Sequence, residues 1–138
     1  MHRKKWVKEV WFMRSSIVTL LILIVFILVA FIANNYTVNS TDNLLSDVAL
    51  LDEFIMKEEW NEAKEQIDSL KTKWKDIRKI WELYIEHYEM DAIDVTIARL
   101  NQYVEIQDRN SALGEMAEFR LLVGHIKEKE SFKLGNIL

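Results

Sequence analysis

The sequence predicts an all-α protein: an N-terminal transmembrane helix followed by a small antiparallel helical bundle of about four helices. Three observations lead there. Seventeen residues, Ile17 to Ala33, run without a charge, glycine or proline. Proline is absent throughout, and the only glycines are Gly114, Gly124 and Gly135. Beyond the run, apolar residues recur at three- and four-residue spacing, the period of one helix face rather than the alternation of a strand.

The apolar run comes first. Fourteen of its residues are Ile, Leu, Val or Phe, so insertion into a bilayer is favourable by roughly 4 to 8 kcal/mol. With Ser15 and Ser16 it spans about 28 Å as a helix, one hydrocarbon thickness. Arg3, Lys4, Lys5, Lys8 and Arg14 precede it against one anion, Glu9, and no Lys or Arg follows until Lys57. That bias predicts a cytoplasmic basic segment over residues 1–14, a signal anchor over 15–34 and everything later on the outer side. Trp6 and Trp11 suit the inner interface and Tyr36 the outer one. A cleaved signal peptide is the competing reading. The run exceeds the usual h-region, however, and Ala30-Phe31-Ile32-Ala33 lacks the small-x-small cleavage pattern.

From Asn34 onward, thirteen basic residues face twenty-one acidic ones. Such an acidic module argues against nucleic acid and against docking on anionic headgroups. The lipid bilayer is therefore expected as a partner only through residues 15–34. No cysteine is present, so no disulfide staples the module, and about 100 residues suffice for one core.

Residues 35–42 are polar and end in good N-cap types, which predicts a linker before a helical domain over 43–138. Leu45, Val48, Leu51 and Ile55 mark the first apolar stripe of that domain. Trp60, Ala63, Ile67, Leu70, Trp74, Ile77, Trp81, Tyr84 and Tyr88 then continue at helical spacing and read as one long amphipathic helix. Its phase is shifted from the first stripe by about two residues, or close to 200° around the axis. A second shift follows Tyr88, where Ile93, Ile97, Leu100 and Val104 begin a third helix with Asp91 as its expected N-cap. The polar cluster Gln107-Asp108-Arg109-Asn110-Ser111 is turn-like. Leu113, Met116, Phe119, Leu122 or Val123, and Ile126 form the last helix. Gly124 within it costs roughly 1 kcal/mol relative to Ala and allows either a close helix crossing or a looser helix. The phase shifts favour a compact bundle over a continuous coiled-coil rod.

The chain shows little chemistry. His87 and Asp91 are one turn apart, as metal ligands can be. The di-metal bundle motif fails, because Tyr84 and Leu122 stand three residues before His87 and His125. Ser111 and Ser131 have no nucleophile-elbow setting, and no glycine-rich phosphate loop exists. No cofactor and no catalytic residue is therefore expected. Trp60, Trp74, Trp81 and Tyr84 lie on a seam whose spacing is that of a core. Their polar atoms also suit an interface, so a candidate interaction or structural cluster comprises Trp60, Trp74, Trp81, Tyr84, His87, Asp91 and His125.

The same residues carry a resemblance. Trp60-x2-Ala63, Trp74, Trp81, Ile85-Glu86-His87 with Asp91 and Ile93, His125-Ile126, and the terminal Asn136-Ile137-Leu138 resemble the bacterial domain of unknown function 4363 family. The resemblance implies a small membrane-anchored protein with no assigned activity. It also implies a partner in the same membrane, a YetF-like multi-spanning protein. The expected function is thus non-enzymatic binding or stabilisation of a membrane or envelope protein. The alternatives are an extracytoplasmic small-ligand sensor and a metal-assisted hydrolase built on His87, Asp91 and His125.

Overall fold

The computed structural model describes the backbone from His2 to Gly135, and side chains from Met13 to Phe132. The side chains of Trp6 and Trp11 and the terminal Asn136-Ile137-Leu138 lie outside the described residues. Four helices follow one another: α1 (His2–Met56), α2 (Trp60–Trp81), α3 (His87–Glu105) and α4 (Arg109–Gly135). No strand occurs among the described residues. The chain divides into two compact units, Met1–Asn35 and Tyr36–Leu138.

The first unit contains the apolar part of α1, whose large side chains from Ile17 to Ile32 are mostly exposed. None of its most apolar window, of mean hydropathy 3.2, is buried. A core helix of a soluble domain would be covered, and this one is not. It is long and apolar enough to cross a membrane.

In the second unit, residues 36–56 of α1 join α2, α3 and α4 in an antiparallel four-helix bundle. Polar bridges trace the order around it. Lys73 Nζ reaches Asp47 of α1 at 2.5 Å, and Lys64 reaches Glu105 of α3 at 3.0 Å. Arg99 of α3 pairs with Glu115 and Glu118 of α4, and Arg120 and Lys127 of α4 return to Asp52 and Asp42 of α1. Each exposed pair is worth at most about 1 kcal/mol, so these pairs report the packing rather than create it. The core creates it: Leu44, Val48, Leu51 and Ile55 of α1 meet the stripes of α2, α3 and α4 in one buried cluster.

The two hairpins follow one plan. Leu44, Val48, Leu51 and Ile55 correspond, at a constant sequence offset, to Ile93, Ile97, Leu100 and Val104. At that same offset Ala63, Ile67, Leu70, Trp74 and Ile77 correspond to Ala112, Met116, Phe119, Val123 and Ile126. The connections match as well. Glu58 and Gln107 both adopt positive φ, 58° and 59°. In each turn the N–H of the next residue bonds five residues back, Glu59 to Phe54 and Asp108 to Tyr103. These are Schellman caps built without glycine. Asp108 then caps α4 by accepting from the Ser111 N–H at 3.1 Å. A bond from the Ser111 hydroxyl, and then that backbone bond, hold its carboxyl below the usual carboxylate range.

Three sequence expectations change. Residues 35–42 are not an irregular linker but α1 itself, with Thr37, Ser40 and Thr41 buried against the bundle. Tyr36 is half-buried and packs on the bundle core. The second helix ends at Trp81, so Tyr84 and Tyr88 leave its seam; Tyr84 sits in the turn and Tyr88 is exposed on α3. Asp91 does not cap α3, which starts at His87 after the extended Glu86.

Gly124 makes no close crossing, since a Cβ there would meet nothing within 4 Å. Gly124→Ala should therefore raise stability by about 1 kcal/mol. Gln107→Gly should also stabilise, because at positive φ the side chain is the liability. Thermal melts of the two variants check both signs.

Candidate functional site

Two polar clusters stand out on the bundle. The first lies between α2 and α3. Trp74 and Arg78 are one turn apart on α2, and Asp91 and Asp94 are one turn apart on α3. The Trp74 indole N–H donates to Asp94 Oδ1 at 2.5 Å. The Arg78 guanidinium bonds the other Asp94 oxygen, Asp91 at 3.2 Å and Glu82 at 3.1 Å. A fork-shaped donor thus spans three carboxylates, the geometry at which arginine excels. Asp94 satisfies Trp74 at the core edge, leaving the ring only 4% exposed.

The second cluster closes the end of the bundle that holds the α2–α3 turn. Tyr84 and Thr37 share a hydrogen bond of 2.9 Å. Lys129 of α4 bonds Glu89 at 3.1 Å and Glu86 at 3.2 Å and lies 5.8 Å from the centre of the Tyr88 ring. Glu89 is 7% exposed, a buried carboxylate that needs such a partner. Its hydrogen bond, helped by Glu86 and opposed by desolvation, raises Lys129 above an ordinary lysine. Burial raises the Tyr84 phenol, against the effect of the Thr37 bond.

The residues singled out from sequence fall into separate environments. Trp74 and Trp81 meet edge to face, with ring centroids 5.6 Å apart at 85°. Trp81 is fully buried, and Trp60 is partly buried against the same core. Trp74 and Trp81 thus fill the core, and Trp60 sits half-buried at its edge. Tyr84 belongs to the end cluster. His87, Asp91 and His125 are exposed, and Asp91 is engaged by Arg78. Among the described residues, no group of three or more His, Asp or Glu is arranged to hold a metal ion. Arg78, Asp94, Glu89 and Lys129 were not anticipated. The usable signal was the pairing of spacings, four between Trp74 and Arg78 and three between Asp91 and Asp94, each defining one helix face.

Residues 31–137 match the family described as a domain of unknown function, DUF4363. The chain belongs to that family. The match begins inside the apolar run and covers the whole bundle, so the hairpin plan and both clusters lie within the DUF4363 region. No curated protein and no solved structure matches this DUF4363 chain.

Proposed function

We propose that this DUF4363 protein is a single-pass, uncleaved membrane protein of the bacterial cell membrane, with its N-terminus in the cytoplasm and its bundle outside. It acts without catalysis, by binding or steadying another membrane or envelope protein. The observation that carries this reading is the apolar run, long enough to cross a membrane and with none of its most apolar window buried. The cationic residues ahead of the run, and their scarcity just after it, support the orientation. Tethering supports the partner role, because confinement to one membrane raises effective concentration enough for a weak surface to be occupied. The resemblance adds a multi-spanning, YetF-like protein as the expected partner.

Crosslinking in intact cells, followed by detergent extraction of the full chain, tests the proposal. A covalent product with a multi-spanning membrane protein is expected. If only monomer is recovered, the partner reading is lost.

A further inference from the structure

We infer that the end of the bundle bearing Leu83 and Phe132 is a lipid-contacting surface, seated in the headgroup layer of the membrane; this rests on the anchor reading above. Leu83 is 81% exposed on the α2–α3 turn, and Phe132 is 71% exposed one turn beyond Lys129 on α4. The bonds from Lys129 to Glu86 and from Tyr84 to Thr37 place both residues at the same end as the start of the bundle part of α1. Tyr88, exposed beside Lys129, adds the residue type that favours a membrane interface.

Exposure alone does not identify the occupant, for Met56 and Ile106 are also exposed at the opposite end. Chain length does. Four residue steps lead from Ala33, the last of the apolar run, to Thr37, and they reach at most about 14 Å even when fully extended. A bilayer that holds the run therefore holds this end within reach of its headgroups. Three of the acids at this end are compensated within the bundle: Glu82 is paired by Arg78, and Glu86 and Glu89 by Lys129. Apolar side chains at such a site sink into the headgroup–acyl boundary as those of an interfacial helix do.

The absence of cysteine makes single-cysteine labelling clean. L83C, F132C, I106C and V25C are introduced separately into the full chain, labelled with an environment-sensitive fluorophore and reconstituted in phosphatidylcholine vesicles. Positions 83 and 132 are expected to emit at shorter wavelength than 106, and to be quenched at least about twofold more strongly by headgroup-proximal nitroxide lipid. If 83 and 132 behave like 106 while 25 is quenched by a deep nitroxide, the inference fails and the anchor stands. If 25 is not quenched, the anchor reading fails and the inference fails with it.

Discussion

Trp81→Ala is expected to destabilise the bundle by about 3–5 kcal/mol, the range for emptying a fully buried tryptophan site. Trp81 is 0% exposed and packs edge-on against Trp74, so the neighbouring backbone has little room to collapse into the gap. Domains of this size hold only about 5–15 kcal/mol in total. The melting midpoint of the full chain in detergent, followed by circular dichroism, should fall by more than about 12 °C. Phenylalanine substitutions separate volume from hydrogen bonding. Among the described residues the buried Trp81 indole N–H meets no protein acceptor, and the Thr41 hydroxyl one turn inward from Thr37 has no protein partner either. Trp81→Phe therefore removes an unsatisfied donor along with some volume, whereas Trp74→Phe removes the bond to Asp94. Trp74→Phe should be the costlier of the two, and the reverse order would overturn this account of the core.

The second large effect concerns the apolar run. Leu23→Arg together with Phe26→Arg places two charges near the helix centre, each unfavourable by about 2.5–3.5 kcal/mol and each removing an apolar contribution. The pair cancels most or all of the roughly 4–8 kcal/mol that the native run supplies. The double variant should leave the membrane pellet on alkaline carbonate extraction. Leu121→Arg with Val95→Arg, both at exposed bundle positions, adds the same charge and should stay in the pellet. Equal retention of both variants would show that the run does not anchor the protein.

Where the helices pack was legible in the spacing, and where they stop was legible only in part. The α3 stripe, and that of α4 from Met116 onward, read correctly because a 3.6-residue period over several turns averages out local ambiguity. At the start of α4 the buried residue is Ala112, with Leu113 half-buried. In α1 the buried residue proved to be Leu44, with its neighbour Leu45 half-buried. The break at Trp81 was missed because Tyr84 and Tyr88 happen to continue the arithmetic through the turn, with no Gly or Pro to interrupt it. Burial of Ile85 and Met90 at the bundle end accompanies the reversal, and that is a long-range demand. The polar stretch after Asn34 misled for the opposite reason. Ser, Thr and Asn suit caps because their side chains compete for backbone groups. Here the Ser40 hydroxyl instead donates to the Tyr36 carbonyl one turn back, and Thr37 bonds Tyr84.

Composition and order of residues were enough for the helical class, the apolar peg, the acidic module and the absence of disulfides, because these depend on local period, length and charge alone. Packing settled the rest. Which tryptophan finds Asp94 and which stays unpaired, how two hairpins of one plan close into a bundle, and why Lys129 sits between Glu86 and Glu89 all require residues distant in the chain to meet. Such meetings are governed by burial and by the satisfaction of buried polar groups, which no window of neighbouring residues encodes.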